Sequence, residues 1–305
     1  MSNLANTTSN SEADLRVVLL GTGCPHPRPD RLGPSVFVEA GGHRLLFDCG
    51  RGVTQRLVQQ GIPFPRVDRL FVTHLHSDHV VGIPDLWLTG WLFGREVPLR
   101  VWGPSGTEAM MGHLAQAYRA DIKIRRADEQ LPELGAEIVV HDFTEGLIYE
   151  SDGLKVTPFD VDHGDLIKPA LGYRIEYRGR CVVLSGDTRP CENLVRFARH
   201  CDVLVHEVAA APLETLEGEP GSSSSFSADR LRRILGHHTT PEQAGDIFRR
   251  VEPRLAVYSH IVLFDTITVD DLLSRTRTTY TGPLRVGEDL MVIDVGSAIT
   301  LHSPP

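Results

Sequence analysis

The chain has 305 residues, 41% hydrophobic and 23% charged, globular proportions that exclude a collagen-like, disordered or disulfide-dependent miniprotein. Forty acids against 31 bases leave a formal charge of −9, and an acidic surface repels phosphate backbones on average, so a nucleic-acid partner is not expected. No run of eighteen apolar residues is present to span a membrane, and five scattered cysteines without a CxxC pair suit a reduced, cytoplasmic setting.

Residues 1–14 lack the basic patch and apolar stretch of a signal peptide and are expected to form a solvated tail. Strand-length runs bounded by Gly, Pro or Asp then fall at 16–20, 35–39, 44–47, 69–73, 99–102 and 137–140. Further runs follow at 154–159, 171–177, 181–185, 203–206, 255–259 and 290–295. Helical periodicity fits 53–60, 107–119, 192–200, 241–251 and 269–277, and Thr239-Thr240-Pro241-Glu242 supplies a hydroxyl cap, a first-turn proline and an acid. Each half opens with several strands and then alternates strands with helices, with no linker between the halves and no internal repeat. The chain is therefore expected to form one α/β domain, 15–305, of two packed sheets flanked by helices. The Gly- and Ser-rich stretch 218–227 reads as a mobile loop inside a lid insertion, 211–235, whose Leu231, Ile234 and Leu235 offer an apolar face.

The sharpest chemical signal is FVTHLHSDHVVG, residues 71–82, where a strand ends and His74, His76, Asp78 and His79 follow within six positions. Period-two spacing puts His74 and His76 on one side of an extended loop, and Asp78 and His79 can turn toward a second point nearby. Imidazole and carboxylate donors suit zinc and, less selectively, iron or manganese. Three more candidates stand just past other strands: His163 in VDHGD, Asp187 in VVLSGDT and His260 in LAVYSH. Ligands gathered at strand ends are where open α/β sheets build their sites.

HLHSDH, His163, SGDT and the final SH, with VVLLGTGCPHP and LLFDCG upstream, resemble the metallo-β-lactamase superfamily, and are closest to its tRNase Z branch and the related arylsulfatase-like enzymes. The resemblance covers nearly the whole chain. It implies a four-layer αββα sandwich, class α/β (α+β), with a two-metal site at one edge. It implies that His74, His76 and His163 hold one Zn²⁺ (or Mn²⁺ or Fe²⁺), that Asp78, His79 and His260 hold the second, and that Asp187 bridges them. A hydroxide shared by two such cations attacks the substrate, which the cations also polarise, with Asp78 able to orient the hydroxide. VLVHEVA, 203–209, and GHHTTPEQAG, 236–245, resemble the branch's HEAT and HST motifs, so His238 supported by Glu207 would protonate the leaving group, with His237 as a rival.

Enzymes that trim tRNA usually carry a long arm between the equivalents of His163 and Asp187, and here only GDLIKPALGYRIEYRGRCVVLSG separates them. An armless, acidic chain resembles the arylsulfatase-like group, which implies hydrolysis of small sulfate, phosphate or carboxylate esters, or of aryl halides, by a homodimer. Trp87 and Trp91, with Phe93 and Trp102 close by, would suit a small apolar substrate, or would pack in the core or in a dimer interface. The alternative is a tRNase Z-type endoribonuclease that processes tRNA 3′ ends. A non-catalytic scaffold would have lost ligands, and a diiron relative would add a flavodoxin-like domain; neither pattern is seen.

Overall fold

The computed structural model describes residues 13–143, 146–212, 227–264 and 266–304. The first sheet is built from β1 (Leu15–Gly21), β2 (Ser35–Ala40), β3 (His43–Phe47), β4 (Arg69–Phe71), β5 (Leu99–Gly103) and β6 (Ile138–Asp142). The second holds β7 (Tyr149–Ser151), β8 (Leu154–Asp160), β9 (Leu171–Tyr177), β10 (Arg180–Leu184), β11 (Val203–Ala210), β12 (Leu255–Leu263) and β13 (Leu284–Val286). The chain then returns to the first sheet with β14 (Met291–Val295) and β15 (Ile299–His302), giving the orders β15-β14-β1-β2-β3-β4-β5-β6 and β13-β12-β11-β10-β9-β8-β7. In each sheet antiparallel pairing turns parallel partway across, at β3–β4 and at β10–β11.

Helices α1 (Val53–Gln59), α2 (Ser77–Val80), α3 (Ile83–Leu92), α4 (Thr107–Ala117) and α5 (Arg119–Asp128) belong to the first half of the chain. Helices α6 (Glu192–Ala198), α7 (Ala228–Leu235), α8 (Pro241–Val251) and α9 (Val269–Thr276) belong to the second. The strands separate three apolar cores by side-chain alternation. Leu15, Val17 and Leu19 of β1 enter the core between the sheets, while Val18 and Leu20 face the helices. β11 does the same with Val203 and Val205 against Leu204, and all eight of its residues are buried. A strand covered on both faces has to be apolar throughout, which is why these runs read as continuous rather than alternating. The result is the four-layer αββα sandwich of the metallo-β-lactamase fold.

Several expected elements change length. The 203–206 run continues to Ala210, and the helix expected at 107–119 breaks at Tyr118, which ends α4 and starts α5. The three tryptophans build core, whereas Phe93 stays exposed and meets Phe64 edge-on. Trp87 and Trp91 are fully buried and donate their Nε1 hydrogens to the carbonyls of Ala136 and Pro132. Trp102 stacks on Phe71 and His141. Of the expected tail, residues 1–12 lie outside the described residues, as do 213–226 of the expected lid. No helix among the described residues is long and apolar enough to cross a membrane.

Candidate metal centre

In the second sheet β8, β10 and β12 run the same way, and with the end of β4 from the first sheet they carry seven polar side chains to one edge. Past β4 the chain bends at Thr73 and reaches an extended His76, which occupies the N-cap position of the short helix α2, and α2 carries Asp78 and His79 in its single turn. His163 follows β8 and Asp187 follows β10. Gly186 aims Asp187: its φ is +59°, and a Cβ there would lie 2.3 Å from the Leu171 carbonyl oxygen, so only glycine turns the chain so tightly. His260 also has a left-handed backbone, φ +44°, in β12, beside a register shift between His206 and Val208 of β11. A non-glycine residue in that region is strained, and such strain gathers where a side chain must be aimed.

The seven side chains form two sets that share one carboxylate. His74 Nε2 stands 2.9 Å from His76 Nδ1, and His163 Nε2 stands 3.3 Å from the same atom. Asp187 Oδ2 lies 3.9 Å from His74 Nε2 and 3.8 Å from His163 Nε2. The same oxygen lies 3.3 Å from both His79 Nε2 and His260 Nε2. Asp78 Oδ2 completes the second set at 3.6 Å from His79 Nε2 and 3.3 Å from His260 Nε2. All seven residues expected from sequence are therefore brought together, with Asp187 central to both sets.

The opposite ring nitrogens explain why these atoms point inward. His163 Nδ1 donates to the His237 carbonyl at 2.9 Å, and His79 Nδ1 donates to Asp48 Oδ2 at 2.8 Å. A carbonyl and a carboxylate only accept, so each of these Nδ1 atoms carries hydrogen. Thr73 Oγ1 donates to Asp48 Oδ2 at 2.9 Å and so accepts from His74 Nδ1 at 3.0 Å. Burial pushes the His74 imidazole well below its ordinary range, lowers His76, and takes His163 to about 4. These three rings are neutral, with lone pairs facing one point. Burial also opposes charge on His79, but Asp187 and Asp48 outweigh it and hold that imidazole protonated in the absence of a cation. Asp187 itself, although buried, is kept ionised well below its ordinary range by His260 and His79.

Asp48 is the residue that sequence reasoning missed. It sits just past β3 in LLFDCG with φ +56°, and it also accepts from the Thr73 amide at 2.8 Å. The available signal was its place: an acid directly after a buried strand, at the same topological level as Thr73.

Beside the two sets lies a buried acid–base pair. His238 Nδ1 is 3.2 Å from Glu207 Oε2, and Glu207 Oε1 accepts from the amides of Thr239 at 2.8 Å and Thr188 at 3.3 Å. Thr239 Oγ1 in turn donates to the Thr188 carbonyl, so the turn that carries Asp187 is tied to the pair. A ring nitrogen of His238 lies within 4.8 Å of donor atoms of Asp187 and His260. Burial would lower His238, but the Glu207 carboxylate more than offsets it and raises the imidazole to about 9. His237 is placed differently. Its carbonyl orients His163, its ring packs on Gly164, and burial lowers its basicity.

Comparison with known proteins identifies the family. The family model for the beta-lactamase superfamily domain matches residues 43–261. A Ribonuclease Z from Mycobacterium sp. (strain KMS) is 35% identical over 286 residues, covering 92% of this chain and 96% of its own. Human tRNase Z, short form, has a TM-score of 0.67 at 22% identity, covering 92% of this chain and 99% of that one. The metallo-beta-lactamase fold protein YhfI from Bacillus subtilis also has a TM-score of 0.67, at 17% identity, covering 91% and 98%. Two expectations are corrected by the mycobacterial match. A small ester-type, arylsulfatase-like substrate and the exclusion of nucleic acid both rested on the missing arm and on net charge. The Ribonuclease Z relative aligns with this chain over nearly the whole of both, so the short segment between His163 and Asp187 does not set the chain apart from that branch. Net charge, moreover, sums the whole surface, whereas a nucleic acid meets only part of it. The chain belongs to the metallo-β-lactamase superfamily, in its ribonuclease Z branch, and is a metal-dependent hydrolase.

Proposed function

We propose that the protein is a ribonuclease Z-type endoribonuclease that cuts precursor tRNA at the 3′ end of the acceptor stem. The match to Ribonuclease Z over nearly the full length of both chains carries this reading. The donor set fits a pair of divalent cations, zinc foremost. Neutral imidazole lone pairs converge, and His79 Nε2 is buried with no hydrogen-bond partner. His74, His76 and His163 would hold one cation and Asp78, His79 and His260 the other, with Asp187 common to both. Bound there, two cations would lower the pKa of water toward 7 and polarise a phosphoryl oxygen.

The chain's own groups supply the rest. Asp78 stays ionised despite its burial because His260 and His79 favour its charge, so its carboxylate can orient the attacking water. Glu207 fixes hydrogen on His238 Nδ1, which leaves Nε2 to deliver a proton to the departing oxygen. If that oxygen is the ribose 3′ oxygen, the tRNA leaves with a 3′ hydroxyl and the trailer keeps the phosphate. Asp48 holds His79 and, through Thr73, His74. Asp48→Ala should weaken cation affinity by about 10–100-fold in a chelator competition while the fold persists. The five free cysteines suit a cytoplasmic setting.

Incubation of the zinc-loaded protein with a precursor tRNA bearing a 3′ trailer tests the function. Mass spectrometry of the products should find a tRNA with a 3′ hydroxyl and a 5′-phosphorylated trailer. An intact precursor, under conditions where the same preparation hydrolyses bis(4-nitrophenyl) phosphate, overturns the reading.

A further inference from the structure

Helix α5 stands on the outside of the first sheet's helix layer with no fully buried residue. Its charges are sorted by face. At about 100° per residue, Arg119, Lys123 and Arg126 fall within about 60° of one another, and Gln130 continues their row just past the helix. Asp121, Arg125 and Asp128 occupy the far side, with Glu129 next to them. There Arg125 Nε lies 3.0 Å from Asp121 and Arg125 Nη1 lies 2.9 Å from Glu129, so that face neutralises itself. On the basic row, Arg126 reaches Glu133 at 2.8 Å. The side chains of Arg119 and Lys123 have no ion-pair or hydrogen-bond partner among the described residues. Lys123 is one of only three lysines in the chain. The row lines an open groove, with Ile122 and Leu131 at its margin.

The row also has a defined relation to the site. A Cβ added to Gly106, which precedes α4, would lie 3.1 Å from Leu75, the residue between His74 and His76. α4 then runs away from that edge for eleven residues, or about 16 Å, before α5 begins. A small ester at the metal edge cannot reach so far. A nucleic-acid strand, with a phosphate about every 3.4 Å along its axis, places several charges over that span.

We propose that Arg119 and Lys123, with Arg126 beside them, bind the phosphate backbone of the RNA substrate at a distance from the cut, as a surface that serves a chain without a protruding arm. This inference rests on the ribonuclease reading above. The charges favour RNA over a flat anionic membrane because the row is a single file along one face of the helix, and the acids on the far side of the same helix would oppose a broad surface.

The test uses the zinc-loaded full chain and mature tRNA, which is bound but has no trailer to lose. Arg119→Gln with Lys123→Gln should weaken tRNA binding about tenfold near physiological salt and make the log–log salt slope shallower by about 1.5, roughly 0.7–0.9 per phosphate contact. Arg199→Gln with Arg249→Gln removes the same charge from exposed positions in the second half of the chain and should bind like the wild type. Melting temperatures of both variants verify that they fold. Equal losses in the two variants would show a net-charge effect and overturn the proposal. So would wild-type affinity in the Arg119/Lys123 variant while the parent cuts precursor tRNA. Lost binding to phosphatidylserine vesicles with tRNA binding intact assigns the row to a membrane surface and overturns it too. A wild-type enzyme that neither binds nor cuts tRNA sinks the ribonuclease reading first, and this inference with it.

Discussion

An Asp187→Ala variant should retain its fold but lose most of both cations and at least about a thousandfold in kcat/KM. The reason is geometric. Asp187 Oδ2 lies within 3.3–3.9 Å of the Nε2 atoms of His74, His79, His163 and His260, so one carboxylate oxygen serves inward-facing nitrogens of both sets. Removing it also leaves protonated His79 with Asp48 as its nearer remaining acid. A cation approaching that set has to displace the His79 proton, and without Asp187 one negative charge fewer favours the exchange. Asp187→Asn keeps the shape and removes the charge, so it should bind more cation than the alanine variant but less than the wild type. Metal content by mass spectrometry, circular dichroism and initial rates separate the cases. Full activity in Asp187→Ala would mean that the two sets do not work as one centre.

Most of the site was legible because metal ligands sit where regular structure stops. HLHSDH, VDHGD and SGDT each follow a strand whose apolar run is plain, YSH lies within one at a backbone irregularity, and strands that run the same way bring these points to a common edge. Asp48 was not legible for the opposite reason: one acid after a strand has no local partner in sequence, and its partners Thr73 and His79 lie 25 and 31 positions away. The fold class was legible from the order of elements, and its exceptions have physical causes. α5 has no apolar stripe because it buries no residue, so hydrophobic periodicity cannot find it. α3 is apolar nearly all round, with Trp87 and Trp91 buried, and offers little amphipathic contrast. Tyr149–Ser151 and Leu284–Val286 are three-residue strands held by sheet neighbours rather than by their own pattern.

The substrate was misread because global charge was given the weight that belongs to local placement. Of 40 acids and 31 bases, many cancel in pairs, as Arg125 does with Asp121 and Glu129. Bases without partners decide where a polyanion can sit, and on α5 Arg119 and Lys123 are left over after such pairing. That distinction needs coordinates. A sum over the sequence cannot make it.

Substitution of His238 by alanine should leave the cations in place and slow RNA cleavage by about 10²–10⁴-fold. His238 Nδ1 is engaged by Glu207, and the seven candidate ligands complete both sets without it. The loss should depend on the leaving group. A ribose alkoxide needs a proton as the bond breaks, whereas a nitrophenolate departs readily, so bis(4-nitrophenyl) phosphate should be hydrolysed at close to the parent rate. The pH profile gives a second readout. Glu207 outweighs burial and raises His238 to about 9, so the proton-donating form is full at lower pH and is lost as pH rises through that value. Nearby cations repel the imidazolium and draw the alkaline limb below 9, so the shift between variants is the measurement to make. Glu207→Gln removes the charge that raises His238 and should move the limb to lower pH, while His238→Ala should abolish it. If His238→Ala instead releases metal, or if nitrophenyl and RNA substrates suffer alike, His238 is structural. His237→Ala then becomes the comparison, and since its carbonyl rather than its ring holds His163, that variant should keep both metal and rate unless the ring itself is the acid.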